Sequence, residues 1–340
     1  MNKKIGFAVV GMGHIGKRHA TMIEQHEEAE LMAVCDVLPK EALGIETLEV
    51  PFFGELTALL ESNLDIDVVC VCTPNGWHAE HSIAVLEASK HVVCEKPMAL
   101  TKESCEAVIY KALQHSRQVF CVMQNRYSPP AVWLKEVMQQ QLLGDIFLVQ
   151  INCYWNRDDR YYYKNGKKHP WKGSLQLDGG PLFTQFSHFV DILYWLFGDI
   201  KKIQARFDNF THQHSTGFED TGIVNFDLIN GGVGSFSYST AVYDQNLESS
   251  LTVIGSKGSI QVGGQYMNKV NYCHIQDYEM PTLEAASPAN DYGTYKGSAN
   301  NHIHVIQNVI DVLKGRKVIA TNALEGLKVV EMIEKIYEQK

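Results

Sequence analysis

The stretch Gly11-Met12-Gly13-His14-Ile15-Gly16 restricts this chain more than any other. It follows a short apolar run, residues 5–10, of the kind that forms a strand buried on both faces. It opens a segment, residues 15–26, that reads as a helix, and Asp36 lies 20 residues past Gly16 at the end of a second apolar run, residues 31–36. A three-glycine loop alone is weak. A strand before it, a helix after it and an acid at that distance together specify a dinucleotide cradle. Gly11 permits the tight turn, Gly13 lets the backbone approach a pyrophosphate, and Gly16 lets helix and strand pack closely. His14 and Ile15 begin the helix, whose N-terminus offers free N–H groups and a partial positive charge to phosphates. Asp36 would accept hydrogen bonds from the ribose hydroxyls and repel a 2′-phosphate, so the expected cofactor is NAD rather than NADP.

Strand-like runs at residues 67–72, 91–94 and 119–123 alternate with helical segments at 78–89 and 101–115. That alternation predicts a doubly wound parallel sheet, a Rossmann domain, over residues 1–125. The regime ends at Arg126-Tyr127-Ser128-Pro129-Pro130, followed by a helix over 131–143. Beyond Gly144 the texture changes. Runs at 146–155, 202–210, 221–229, 233–243, 249–254 and 258–262 read as strands separated by turn signals. With no helices alternating between them, they predict an open, mostly antiparallel sheet. One long helix, residues 182–197, interrupts them, and helices return at about 298–314 and 322–338. The expected fold is therefore α/β followed by α+β. The second domain, residues 126–340, binds substrate and forms oligomers, with the last helices able to pack back on the first.

With 45% hydrophobic and 20% charged residues the composition is that of a globular protein. The formal net charge of −9 and the lack of any basic run argue against nucleic acid as a partner. No apolar run approaches the roughly 20 residues that span a bilayer. The basic start, residues 1–4, runs into an apolar segment as a signal peptide would. That segment turns at once into the glycine loop, so the expected location is cytoplasmic, with no membrane partner. Eight cysteines without a CxxC pair read as reduced, buried thiols. His212-x-His214 and His302-x-His304 have a spacing that suits a strand, no cysteine or aspartate cluster accompanies them, and no metal site is expected.

Glu95-Lys96-Pro97 follows the fourth strand, on the edge where doubly wound sheets bind ligands. Together with the glycine loop and Thr73-Pro74-Asn75, it makes the chain resemble the Gfo/Idh/MocA oxidoreductases along essentially its whole length. The resemblance implies that Lys96 lies near the reacting carbon and the nicotinamide. It also implies that Thr73, Pro74, Asn75, His78, Glu95 and Asn125 join the loop in lining the cofactor. In the second half, the stretch from Gly179 to Asp191 resembles the family's glycine-led helix, with His188 as its histidine. The family usually has an acid or amide four positions earlier. Thr184 stands there, on the same helix face, and cannot act as an acid or base at neutral pH. Lys96 and His188 are accordingly the expected catalytic residues, with Lys96 as base. A lysine is a poor base at its reference pKa of about 10.4, and burial beside a positive nicotinamide favours its neutral form.

Several segments resemble one subgroup more closely, the UDP-N-acetylglucosaminuronic acid 3-dehydrogenases of surface-polysaccharide synthesis. They are Gln124 to Pro130, Tyr154 to Asp158, Tyr161 to Tyr163, Trp171 to Gly180, Ile254 to Gly258, and Tyr292 to His302. Oxidation at C3 of a UDP-sugar is thereby implied. The substrate site is expected to include Lys96, Arg126, Tyr154, Arg157, Tyr162, Thr184, Gln185 and His188. Arginine forks and lysines suit phosphates and a carboxylate, and Arg160, Lys164, Lys167, Lys168 and Lys172 add to the basic stretch. A solvated loop explains the lysines equally well, and core packing explains the tyrosines. Two alternatives stay open: a dehydrogenase of a free sugar or inositol, and an NAD-binding regulator without catalysis. The exposed face of an open sheet needs cover, and the resemblance implies a homodimer or homotetramer.

Overall fold

The computed structural model describes residues 3–291 and 296–340. Tyr292, which begins one of the subgroup segments, lies outside them. The chain divides into two compact units. Met1–Met123 and His302–Val330 make the first, and Gln124–Asn301 with Glu331–Lys340 the second.

The first unit is built on six strands: β1 (Ile5–Val10), β2 (Ala29–Cys35), β3 (Phe52–Phe53), β4 (Val68–Val71), β5 (His91–Cys94) and β6 (Val119–Cys121). Their order is β3-β2-β1-β4-β5-β6 and every pair is parallel. The order reverses between β1 and β4, the place where such sheets bind dinucleotides. The unbroken apolar runs of β1 and β4 are buried because helices cover both faces. Since the strands are parallel, Gly11, Thr73 and Glu95 all emerge at one edge, past the ends of β1, β4 and β5. The helix His302–Leu313 and the start of Ala323–Tyr337 belong to this unit. The amide of Cys121 donates to the Thr321 carbonyl at 3.0 Å, and His26 Nε2 meets Gln307 Oε1 at 2.8 Å.

The second unit contains β7 (Ile146–Tyr154), the small hairpin β8 (Tyr163–Lys164) and β9 (Lys167–Lys168), and β10 (Ile200–Asp208). It continues with β11 (Thr221–Leu228), β12 (Val233–Ser239), β13 (Glu248–Gly255), β14 (Gly258–Gly263) and β15 (Lys269–Ile275). A seven-stranded sheet runs β10-β11-β12-β7-β13-β14-β15, antiparallel except between β12 and β7. Strand alternation sends Val149, Ile151, Val224, Phe236, Leu251 and Val253 inward. The helix Ser187–Phe197 lies beneath them, with Phe189 and the preceding Phe186 edge-on to Trp155 at 5.8 and 5.3 Å.

Several details depart from the sequence expectations. The helix expected over 182–197 is two pieces, Pro181–Thr184 and Ser187–Phe197. Phe186 sits at the break, fully buried against Trp155 and Tyr238, so core packing overrides helical continuity. β15 was not anticipated. It is a largely exposed edge strand without the apolar alternation that marks a half-buried one. His212 and His214 lie in the loop between β10 and β11 rather than on a strand, and each meets an aspartate, Asp220 at 3.1 Å and Asp159 at 2.9 Å. Among the described residues no group of three or more His, Cys, Asp or Glu could hold a metal ion, and no helix is long and apolar enough to cross a membrane.

Candidate cofactor and substrate sites

In the first unit the glycine loop has the geometry its spacing requires. Gly11 adopts φ +88°, a left-handed conformation, and a Cβ there would lie 2.6 Å from the Cys72 carbonyl oxygen. A Cβ on Gly16 would collide with the Gly11 carbonyl oxygen. Above Gly13 the space is open to 4 Å, so the backbone is bare where a pyrophosphate approaches. Gly13 is also the N-cap of helix His14–Glu24 and brings no side chain to the first amides. Asp36 accepts from Met12 N at 2.7 Å through Oδ2 and from Leu38 N at 2.9 Å through Oδ1, which fixes its carboxylate against the loop. These residues fit NAD, which would rest its phosphates on the helix N-terminus and its ribose on Asp36.

Past β4 and β5, His78 connects the two neighbouring loops. It is 1% exposed; its Nε2 is 2.7 Å from the Thr73 carbonyl and its Nδ1 2.7 Å from the Pro97 carbonyl. Burial lowers its pKa, so a neutral ring donates to one of these carbonyls at a time. The Lys96–Pro97 peptide is cis. Lys96 is half-buried, and its backbone N–H donates to Glu95 Oε2 at 3.2 Å. Glu95 itself is buried with two histidines. His19 Nε2 is 2.9 Å and His302 Nε2 3.6 Å from Glu95 Oε1. Burial pushes the Glu95 pKa up, but the hydrogen bond from His19 and the His19 and Lys96 charges bring it down to about 2. Burial pulls His19 down, while hydrogen bonds to Cys70 and Glu95 raise it to about 10. His302 is lowered to about 3 by burial. An ionised His19–Glu95 pair with a neutral His302 therefore adjoins the Lys96 backbone.

The second unit gathers a different set. His188, 2% exposed, is in the first turn of its helix, and the Gln124 side-chain nitrogen lies 3.1 Å from its Nε2. An amide N–H donating there requires an unprotonated Nε2. Arg126 is held by Asp191, with Nε to Oδ2 at 2.8 Å and Nη2 to Oδ1 at 2.6 Å, and its guanidinium lies 5.3 Å from the Trp195 ring centre. Thr184 donates to the Asp178 carbonyl at 2.8 Å and touches the Asp178 carboxylate, whose Oδ2 accepts from Gly173 N at 2.7 Å. The position that is an acid or amide in the family pattern is thus a hydroxyl in contact with an acid six residues earlier.

Arg157 is 1% exposed. Its donors reach Gln185 Oε1 at 2.7 Å, the Asn156 carbonyl at 2.5 Å, Asn246 Oδ1 at 3.2 Å and the Lys296 carbonyl at 3.2 Å. Gln185 in turn donates to the Tyr161 hydroxyl at 2.9 Å. Tyr162 is buried edge-on to Tyr161 and His212. Asn125 is buried, and its Oδ1 accepts no hydrogen bond among the described residues, an acceptor that a ligand donor could use. The structure does not bring Tyr154 to this group. Strand alternation places it with Asn152, to whose Oδ1 its hydroxyl donates at 3.2 Å, on the face of the sheet opposite Ile151 and Cys153.

Residues 5–123 match the model of the oxidoreductase family with an NAD-binding Rossmann fold, and residues 132–261 match the Gfo/Idh/MocA C-terminal domain. The WlbA dehydrogenase of Chromobacterium violaceum, solved with NADH and UDP-GlcNAcA, is 32% identical. That match covers all of this chain and 94% of the other, with a TM-score of 0.85. The chain belongs to the Gfo/Idh/MocA oxidoreductase family. The WlbA dehydrogenase of Bordetella pertussis, with the same ligands, is 30% identical over 99% of this chain and 96% of its own, with a TM-score of 0.84. D-glucoside 3-dehydrogenase of Escherichia coli is 24% identical over 97% of this chain and 94% of its length.

As a Gfo/Idh/MocA oxidoreductase the protein is an NAD-dependent enzyme. Sequence reasoning assigned no role to Gln124, Asp178 or Asp191, although each lies in a segment it singled out. Asp191 had a signal, its place one turn after His188 on the same helix face. Asp178 had none, because its contact with Thr184 depends on the turn through Gly179 and Gly180, at φ +85° and +113°.

Proposed function

We propose that the protein oxidises the C3 hydroxyl of UDP-N-acetylglucosaminuronic acid with NAD. The observation that carries this reading is the full-length likeness, at 30–32% identity, to two dehydrogenases solved with NADH and UDP-GlcNAcA. The buried basic and aromatic side chains of residues 155–172 support it, since a UDP-uronate brings phosphates and a carboxylate. Bound NAD supplies the hydride acceptor. The chain's own part is to take the hydroxyl proton and hold the sugar. Lys96 is the base, and the buried Glu95 behind it, hydrogen-bonded to the Lys96 amide, holds its backbone in place. His188 orients the hydroxyl, in a ring state set by Gln124. Arg126 acts through Asp191 and the helix that carries His188.

The assay is NADH formation at about 340 nm, the reduced nicotinamide absorbance, with UDP-N-acetylglucosaminuronic acid, UDP-N-acetylglucosamine, glucose and inositol compared. Turnover with the UDP-uronate alone is expected. Turnover with glucose or inositol in its place would overturn the nucleotide-sugar reading and leave the dehydrogenase in place.

The outer face of the seven-stranded sheet carries Gln150, Asn152, Asn225, Ser235, Ser237 and Thr252, with Ile223 and Val233 each about half exposed. Copies of the chain pair through this face in the proposed assembly, a dimer or tetramer. Light scattering is expected to give the mass of two or four chains; a single-chain mass at micromolar concentration would rule the pairing out.

A further inference from the structure

The helix Ala323–Tyr337 belongs to the second unit from Glu331 on, and its last residue reaches the glycine turn that precedes Thr184 and His188. A short helix, Pro181–Thr184, starts at that turn with Gly180 as its N-cap. Pro181 has no N–H, and the amides of Phe183 and Thr184 donate to the Gly180 carbonyl at 3.1 and 3.0 Å. Leu182 is fully buried, and its N–H belongs to the group that a helix start cannot satisfy from within. The Tyr337 hydroxyl oxygen accepts it at 3.2 Å.

That oxygen is held from the other side. The Tyr337 hydroxyl donates to Glu219 Oε1 at 2.8 Å, which also takes the Tyr238 hydroxyl at 2.8 Å, while Lys340 Nζ lies 2.7 Å from Glu219 Oε2. A phenol has one proton to give. The carboxylate takes it, so the lone pairs of the oxygen are left to Leu182. Burial first, then the Glu219 charge, push the Tyr337 pKa well above the ordinary phenol value, so the hydroxyl keeps its proton. The ring is packed as well, with Phe183 and Phe207 at 5.8 and 5.7 Å and Lys340 Nζ 3.9 Å from its centre. Gly180 makes room for the contact. Its φ of +113° is one that side chains avoid, and a Cβ there would lie 2.7 Å from the Tyr337 hydroxyl. Directly after Leu182 and Phe183 come Thr184, in contact with Asp178, and Gln185, which accepts from Arg157, and the helix that carries His188 starts at Ser187.

We propose that Tyr337 is a positioning residue for the reaction: its hydroxyl fixes the Leu182 amide and, through it, the short segment that presents Thr184, Gln185 and His188 to the substrate. The proposal rests on the reading of those three residues as substrate contacts.

The test is Tyr337→Phe, which removes the hydroxyl and keeps the ring. Amide hydrogen exchange of the NAD-loaded protein is expected to quicken about tenfold in a peptide covering residues 180–186, the scale of one lost hydrogen bond. Peptides from β12 and β13 should exchange as in the wild type, which separates a loosened turn from a loosened unit. NADH formation is followed with UDP-N-acetylglucosaminuronic acid, or with glucose or inositol should one of these prove to be the substrate. There kcat should fall about 10- to 100-fold, the scale of a small misplacement of substrate contacts, with the KM for NAD within about twofold of the wild type. Unchanged exchange in 180–186 would overturn the brace, and faster exchange with full kcat would overturn its part in the reaction. Full turnover in a parallel His188→Asn variant would sink the reading of His188 instead and leave both Tyr337→Phe measurements to decide the brace.

Discussion

Lys96→Met is expected to lower NADH formation by about 10³-fold, the scale of a lost general base, while NAD binding changes by less than about twofold. Methionine keeps the length and apolar character of the lysine stem and removes the nitrogen. The side chain is only half-buried, so little packing is lost. The backbone is held independently, by the Lys96 amide bond to Glu95 and by the His78 contact to the Pro97 carbonyl. The proposed dinucleotide cradle is built from Gly11, Gly13, Gly16 and Asp36, whose described close approaches and hydrogen bonds are with other residues. Turnover within about tenfold of the wild type would show that the hydroxyl proton goes elsewhere. Initial rates at 340 nm and titration of the variant with NAD read the two halves of this expectation separately.

Asp191→Ala is expected to destabilise the second unit by about 3–5 kcal/mol, the usual effect of breaking one side of a buried ion pair. Both partners are at most 5% exposed, and the pair is bidentate. Removing the carboxylate takes two acceptors from the buried Arg126 guanidinium, which lies 5.3 Å from the Trp195 ring centre. Urea unfolding followed by tryptophan fluorescence measures the loss. The double variant Arg126→Met with Asp191→Leu should recover most of it, since replacing both charges avoids the unpaired one. If Asp191→Ala costs less than about 1 kcal/mol, the pair contributes little to the fold. The single variant should also lower turnover, because Asp191 lies one turn after His188 on the same helix.

The family and the parallel sheet were legible in the sequence because their signals are local. The turn at Gly11, the close contact at Gly16 and the start of a helix at His14 need only neighbouring residues, and the apolar runs of β1, β4 and β5 mark strands covered on both sides. Parallel strand order then carries the loops at Gly11, Thr73 and Glu95 to one edge without further information.

Contacts between distant residues were decided by the tertiary structure. Arg126 has the composition of a ligand fork, but Asp191, 65 positions away, occupies it. Tyr154 sits in an aromatic run, yet the register of β7 with β13 turns it to the outer face, away from Arg157 and Tyr161. Glu95 acquires an ionised partner, His19, from the helix that follows the glycine loop and a neutral one from His302, more than 200 residues later in the chain. Thr184 regains a carboxylate neighbour only through the glycine turn that returns Asp178 to it. By itself the sequence determined the family, the parallel sheet, the form of the glycine loop and the strand edge that carries Lys96, since these follow from periodicity and backbone sterics over a few residues. Which charges meet was decided only by the tertiary structure, because in a low-dielectric interior each polar side chain is held by whichever partner the packed sheets and helices bring within about 3 Å.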